Sequence, residues 1–364
     1  MNFEELRADI PACDSCAYLN TGASGPSPRR VVEAVCNAQR RHEFDVCDVD
    51  HYETATELKD TARAALAAHL GCSPADIALT ASTGDGISRV ANALDWEVGD
   101  RVVHTDLEHP SGVLPWRRLA DAGVEVDTLS CPDGRLPMEA YHDAVADASL
   151  VCLSSESWFH GTRLPVEAAV DIAHDAGALV LVDAVQTVGQ HPLDIETWGA
   201  DAVAASGHKW LLGPWGAGFL YVNPDSADRF RPRHLGYKSV VDPTGSGFEF
   251  HPDARRFEVS TLAVAPYAGL VEALELSDEL GLDAIEQRIE RLTDRLKDGL
   301  GDRCLSPPEY ESGLVAVEVE DAPATVDRLA ADGIVVRDLP TGALRVSVHA
   351  FNTADEIDAL LEAL

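Results

Sequence analysis

Apolar and polar positions along the chain fall into two rhythms. Short apolar runs at 77–80, 101–105, 124–129, 150–153, 179–182, 202–205 and 218–222 are separated by helical patterns, such as 166–176 closed by Gly177. Runs that are apolar without alternation belong to strands covered on both faces, so this stretch predicts a mainly parallel sheet with helices on each side. Ahead of it, Ser27-Pro28 reads as the N-cap and first residue of a helix reaching about His42, and a second helix runs over 53–70 and stops at Gly71. A helix is also expected from about Ile87. Between 236 and 256 the rhythm lapses into a loop containing Pro and Gly. Beyond it, 266–280 and 283–300 read as long helices, followed by strand 314–320, helix 324–331, strands 334–337 and 343–349, and a last helix behind the capping box Thr353-Ala-Asp-Glu356. The expected fold class is α/β. A large domain is expected at 16–245 and a smaller α+β domain at 246–364, with residues 1–15 packed on the smaller one.

Charge changes the picture. Sixty-two acidic residues face 28 basic ones, a net charge of −34, and only four of the basic residues are lysines (Lys59, Lys209, Lys238, Lys297). Such a surface repels phosphate backbones, so no nucleic-acid partner is expected. The acids are spread over the whole chain, which suits a protein kept hydrated in a high-salt cytoplasm. No apolar run is long enough to span a membrane, and Met1-Asn2-Phe3-Glu4-Glu5 lacks the basic and apolar regions of a secretion signal, so a cytoplasmic location is expected. Eight cysteines include Cys13-x-x-Cys16, but no second ligand pair follows at metal-binding spacing. Reduced, mostly buried thiols and no metal site are expected.

The chemistry concentrates at the ends of two neighbouring strands. One apolar run ends in Asp183, and the next ends in Ser206-Gly-His208-Lys209. In open α/β sheets the ligand crevice lies beyond the carboxyl ends of the strands, so both side chains should reach it. An amine able to form a Schiff base and a carboxylate able to keep a pyridine nitrogen protonated are what pyridoxal 5'-phosphate (PLP) requires. Burial there would lower the lysine pKa and sharpen its nucleophilicity. Lys59 and Lys297 sit among charged helix neighbours and read as solvated, which leaves Lys238 as the competitor. The turn Thr80-Ala-Ser82-Thr83-Gly84-Asp85-Gly86 follows a strand and precedes a helix, so Ser82, Thr83 and Gly84 are candidates to hold a phosphate at the helix start. Ser206 and His208 could reach the same group. The run His104-x-x-x-Glu108-His109 misses the HxxEH spacing by one and offers no third metal ligand.

Ser206-Gly-His-Lys209, with Val182-Asp183-Ala-Val-Gln186 upstream, resembles the class V aminotransferase family of fold-type I PLP enzymes. That family includes cysteine desulfurases, cystine lyases, isopenicillin-N-epimerase-like enzymes and serine–pyruvate-type aminotransferases. The likeness runs from Tyr18-Leu-Asn20 to Arg345-Val-Ser347. It implies that Lys209 carries PLP as a Schiff base, Asp183 pairs with the ring nitrogen and Gln186 with its phenolic oxygen. Thr83, Gly84, Ser206 and His208 would bind phosphate. His109, in the Glu108-His109 pair, would stack on the ring and could shuttle a proton. Arg256-Phe257-Glu258-Val-Ser260-Thr261 resembles a family segment whose threonine reaches the phosphate of the neighbouring subunit, with Ser260 in place of a glycine. It implies a homodimer in which Thr261 completes the partner's site. Arg345 matches the arginine that grips the α-carboxylate of an amino-acid substrate.

Two departures bear on the reaction. Desulfurases of the family carry a loop cysteine shortly before that arginine, and the stretch from Asp332 to Arg345 has none, the nearest being Cys304. Trp158 stands where an asparagine usually faces the cofactor, as in the cystine-lyase and epimerase-like branches. The expected function is a cysteine-desulfurase-like C–S lyase, with aminotransferase or epimerase chemistry as the alternative. A cofactor-free scaffold or regulatory partner is the remote alternative, and it would predict decay of Lys209, Asp183 or the Thr83 turn, all of which are intact.

Overall fold

The protein is described by a computed structural model covering residues 1–48 and 50–364. Its strands, in chain order, are β1 (Ala17–Tyr18), β2 (Ile77–Thr80), β3 (Arg101–Thr105), β4 (Glu125–Leu129), β5 (Leu150–Ser154), β6 (Leu179–Asp183), β7 (Ala202–Ser206), β8 (Gly218–Val222), β9 (Leu314–Val317), β10 (Ile334–Val335), β11 (Arg337–Asp338) and β12 (Leu344–Ser347). Seven of them form one sheet in the order β2-β8-β7-β6-β5-β3-β4. Only β8 runs against the others, pairing antiparallel with β2 and β7. The architecture is that of fold-type I α/β proteins.

The continuous apolar runs are explained by two cores. Leu150, Cys152, Leu179, Leu181, Ala202 and Ala204 point to one face of the sheet, where they meet Ile87, Val90 and Trp116. Their neighbours Val151, Leu153, Val180, Val182, Val203 and Ala205 point to the other face and pack on Leu66, Leu70 and Leu270. Side chains alternate along a strand, so a sheet with helices on both faces needs apolar residues at every position. Burying one such Leu or Val contributes roughly 1.5–3 kcal/mol.

A second sheet, antiparallel with order β11-β12-β9, lies in the C-terminal part. Helices Leu282–Leu300 and Ala354–Ala363 cover it with Leu292, Leu296, Ile357 and Leu360. The chain start is sewn to this part, since β1 pairs parallel with β10 and Asn20 bridges to Ser347. Arg7 forms an ion pair with Glu356 at 2.9 Å. Leu6 and Ile10 pack on Phe351 and Leu212.

Several details differ from the sequence reading. Helix Arg29–Phe44 starts behind Pro28, and the Ser27 hydroxyl donates to the Gly213 carbonyl at 3.1 Å instead of capping it. Helix His51–Leu70 starts earlier, capped by Asp50, and stops as expected at Gly71, whose φ of +74° is readily reached only without a Cβ. The helix expected from Ile87 starts at Thr83. Strand β9 ends at Val317, and the single strand expected over 334–337 is split into β10 and β11, which pair in different sheets. Lys59 and Lys297, read as solvated, are both buried. The Lys297 ammonium donates to the Glu309 carbonyl at 2.7 Å. The thiols are free but only Cys131 and Cys152 are buried, while Cys36 and Cys47 are exposed. No helix among the described residues is long and apolar enough to cross a membrane.

Candidate active site

The parallel strands deliver their carboxyl ends to one edge of the large sheet, and the candidate residues sit on those ends. Strand β6 terminates in Asp183, and β7 terminates in Ser206 just ahead of His208 and Lys209. Ser82, Thr83 and Gly84 follow β2, Glu108 and His109 follow β3, and Glu156 and Trp158 follow β5. All of these except Glu108, together with Arg345 of β12, line a cleft of about 290 Å³. Eleven expected residues converge there: Ser82, Thr83, Gly84, His109, Trp158, Asp183, Gln186, Ser206, His208, Lys209 and Arg345. Thr261 does not. It is exposed on a separate concavity of about 530 Å³ shared with His51, Tyr52 and Lys59. Of the four lysines, Lys209 alone lines the cleft, so Lys238 no longer competes.

Lys209 is partly open to the cleft and otherwise enclosed by protein. Burial brings its pKa down to about 8, opposed by the Asp183 charge and reinforced by Arg345 and Arg337. A large share of the amine is therefore neutral near pH 8, the state that attacks an aldehyde. The turn that carries it is strained, because Leu212, with φ +58°, closes a turn onto the Lys209 carbonyl at 3.0 Å. A left-handed leucine costs about 1–2 kcal/mol, which its burial against Leu6, Ile10 and Phe351 offsets.

Asp183 is buried, and burial raises its pKa against a backbone hydrogen bond from Val185 N–H to Oδ1 at 3.0 Å and the charge of Lys209. A buried carboxylate so sparsely satisfied calls for a cation in the cleft. Gln186 is oriented without ambiguity. The Trp210 indole, a donor only, gives its N–H to Oε1 at 2.8 Å, so Nε2 is the atom that donates to the Gly22 carbonyl at 3.0 Å. One amide N–H remains for a ligand.

A helix start and a set of hydroxyls face the cleft together. In helix Thr83–Ala91 the Ser82 hydroxyl accepts from Asp85 N–H at 3.1 Å, which leaves the first two amides, Thr83 and Gly84, for an anion. The Thr83 hydroxyl lies 3.0 Å from Ser206 Oγ, which lies 3.1 Å from His208 Nδ1. Burial and Lys209 hold His208 down to about 4, so its ring is neutral. Gly218 allows this turn to close on the sheet, since a Cβ there would stand 2.7 Å from Ser82 Cα. Asp85 turns away, accepting from Ala81 N–H at 2.9 Å.

His109 is also neutral, lowered to about 4 by burial and then by Lys209 and the two arginines. Its Nδ1 accepts from Ser111 N–H at 3.2 Å, which puts the ring proton on Nε2, and the ring meets Trp158 edge-on at 5.4 Å. Behind it, Glu108 ties the ends of β3 and β5 together by accepting from Ser154 N–H at 2.9 Å and from the Thr105 hydroxyl at 2.7 Å. Burial pushes Glu108 up to about 7.

Arg345 is 1% exposed and donates from Nη1 to the Trp158 carbonyl at 3.1 Å, while Nε and Nη2 find no partner among the described residues. Burial and the neighbouring Arg337 lower it to about 9. Such a guanidinium is a prepared site for a carboxylate. Arg337, Glu156 and Gly22 also line the cleft and were not anticipated. Arg337 lies opposite Arg345 in the β11–β12 ladder, a pairing of like charges that is unfavourable without an anion between them.

An amine and a carboxylate on adjacent strand ends, an amide donor, the free amides of a helix start and a neutral imidazole around one cleft are the set that a fold-type I PLP enzyme needs. The chain belongs to the class V aminotransferase family, whose profile (Aminotransferase class-V) matches residues 17–360. It is 31% identical to a probable cysteine desulfurase of Methanothermobacter thermautotrophicus, covering 100% of this chain and 98% of the relative. It is 28% identical to isopenicillin N epimerase of Streptomyces clavuligerus, covering 100% and 98%. Among solved structures, the cystine C–S lyase C-DES in complex with its product cysteine persulfide superposes with a TM-score of 0.90 at 27% identity, over 97% of this chain and 98% of that one.

Proposed function

We propose that this chain is a cysteine-desulfurase-like C–S lyase that acts on a β-sulfur amino acid without an enzyme thiol. The observation that carries this reading is the cleft lining, which combines the PLP-binding set with two arginines and includes none of the eight cysteines. Cys304, the remaining thiol candidate, bridges to Val317 at the edge of the second sheet. The solved relative named a cystine C–S lyase has cysteine persulfide as its product, which supports the same outcome here.

When bound, PLP supplies an electron sink for the electron pair left at Cα. Lys209 is the amine that holds the cofactor's aldehyde carbon, and Asp183 keeps the ring nitrogen protonated. Gln186 donates to the ring oxygen. Thr83, Gly84, Ser206 and His208 hold the phosphate, with Ser82 fixing that helix start. Arg345 binds the α-carboxylate against the Trp158 wall, and Arg337 suits a second acidic group on the substrate. Once the substrate amine has taken its place on the cofactor carbon, the freed neutral Lys209 amine would take the Cα proton. The electron pair left at Cα would close a Cα=Cβ bond as the Cβ–S bond breaks, and sulfur would leave with the C–S electron pair. The Nε2 proton of His109 or the Lys209 ammonium could quench it, and water would release the remaining carbon skeleton as pyruvate and ammonia.

The reading includes a homodimer, in which exposed Thr261 reaches the neighbouring site, and a protein suited to a salt-rich cytoplasm. The division into domains at 16–245 and 246–364, with 1–15 on the latter, belongs to the same reading. It is tested by giving purified holoenzyme cysteine, cystine and common amino acids in high salt and assaying sulfide, persulfide, pyruvate, alanine and keto acids separately. The expected result is sulfur release together with pyruvate. Sulfide with alanine would instead mean desulfurase chemistry, keto-acid-dependent amino transfer an aminotransferase, and inverted substrate an epimerase.

A further inference from the structure

The residue after the lysine is built into the site in a way that the reaction does not require. Trp210 is 2% exposed, and its indole N–H is the hydrogen bond that fixes the Gln186 amide. Its backbone carbonyl receives His349 Nε2–H at 2.9 Å, and its ring stacks on His349 with centroids 5.8 Å apart and planes 18° apart. His349 stacks in turn on Phe351 at 4.9 Å. Burial lowers His349 to about 4, so the ring is neutral, and a carbonyl can only accept, which places its proton on Nε2. His349 and Phe351 follow β12, the strand that carries Arg345, whereas Gln186 and Lys209 follow β6 and β7 of the large sheet.

We propose that Trp210 is a positioning residue that sets the hydrogen-bonding polarity of the cofactor site and joins it to the strand holding the substrate arginine. Without the indole donor, the buried Gln186 Oε1 loses its partner and the amide is held by the Gly22 carbonyl alone, so the orientation that presents an N–H to the cleft has one anchor in place of two. A donor at the ring oxygen stabilises its anionic form, and an acceptor there does the reverse. Trp210, with the Gly22 carbonyl, thereby decides which of the two the cofactor meets. His349 holds Trp210 at both its carbonyl and its ring, so the site and Arg345 are kept in register by one buried stack. This inference rests on the PLP reading of Lys209 and Gln186.

The test is the pH titration of the holoenzyme's visible absorbance, alongside the dissociation constant for PLP, in Trp210→Phe, Gln186→Ala and the double variant. Phenylalanine keeps a stacking ring and lacks the N–H. Losing or loosening a donor to an anionic oxygen makes the cofactor hold its proton to higher pH. The absorbance midpoint should therefore rise by about one unit in Gln186→Ala and by a smaller, resolvable amount in Trp210→Phe, where the Gly22 carbonyl still holds the amide. The double variant should rise no further than Gln186→Ala alone. A Trp210→Phe midpoint equal to that of the wild type, or shifts that add in the double variant, would overturn the proposal. His349→Phe, which keeps the stack and frees the Trp210 carbonyl, gives a second reading if Trp210→Phe does not fold. A rise in the same direction supports the proposal, and an unchanged midpoint refutes it. Wild-type protein that develops no such absorbance with PLP would instead overturn the cofactor reading, and this inference with it.

Discussion

Replacing Arg345 by methionine should stabilise the cofactor-free protein while removing its grip on substrate. The guanidinium is buried, and its Nε and Nη2 have no partners among the described residues, a desolvation penalty of about 1–3 kcal/mol for each group. Against this stands the charged hydrogen bond from Nη1 to the Trp158 carbonyl, which contributes about 1.5–3 kcal/mol. The guanidinium also lies 6.0 Å from the Trp158 ring centroid, worth about 0.5–2 kcal/mol more. Methionine fills most of the same volume, and exchanges of buried charge for packed apolar side chains fall within about 1–4 kcal/mol on the stabilising side. The balance expected for Arg345→Met is therefore a gain of about 1 kcal/mol, read as a higher denaturant midpoint at unchanged slope. Binding of an amino-acid substrate, followed by the change in cofactor absorbance, should weaken by about 2–5 kcal/mol, a factor of roughly 30 to several thousand. A variant that loses more than about 1 kcal/mol of stability, or that binds substrate as tightly as the wild type, would refute this reasoning.

Lys209 makes a pH prediction of definite sign. Its folded pKa of about 8 lies below the ordinary lysine value of about 10.4, so between those values the unfolded chain binds more protons and stability of the cofactor-free protein rises with pH. Comparing unfolding of the wild type and Lys209→Met across that window isolates the effect, and identical slopes would contradict it. The rate at which PLP is captured should climb about tenfold per unit below pH 8 and level off above it, as stopped-flow absorbance can show. A rate still climbing at pH 10 would mean an unperturbed amine. Away from the cleft, Glu258 accepts from Arg63 Nη2 at 2.5 Å and from Leu79 N–H at 3.0 Å while buried. Glu258→Ala leaves buried Arg63 with Asp60, 2.7 Å from Nη1, as its remaining carboxylate and strips Leu79 N–H of its acceptor. It should therefore cost about 2–3 kcal/mol in denaturant unfolding, whereas a loss below about 1 kcal/mol would show that Asp60 alone suffices.

The large sheet was legible because its strands are buried on both faces, and unbroken apolar runs such as Val180–Leu181–Val182 have few other uses. Asp183 and Ser206 were legible for a related reason, being the first polar residues after those runs, and Lys209 follows three positions further on. The start of helix Thr83–Ala91 was not, because Gly84 and Gly86 argue against a helix locally. Its packing explains the choice, since a Cβ on Gly86 would stand 3.2 Å from Ala204 Cβ. Arg337 was missed because an arginine closing the strand expected over 334–337 reads as solvated, and only the register that sets it opposite Arg345 brings it to the cleft. Lys59 and Lys297 were misread for want of tertiary contacts, because charged helix neighbours do not reveal what the far end of a long side chain meets. Gln186 was found, but the Trp210 and His349 behind it become visible only once two distant segments are brought together.

The most direct measurement is borohydride reduction of the PLP-loaded protein followed by peptide mass analysis. A phosphopyridoxyl group on the peptide containing Lys209, absent from Lys209→Ala, is the predicted result. The same group on Lys59, Lys238 or Lys297, or none at all, would contradict the account.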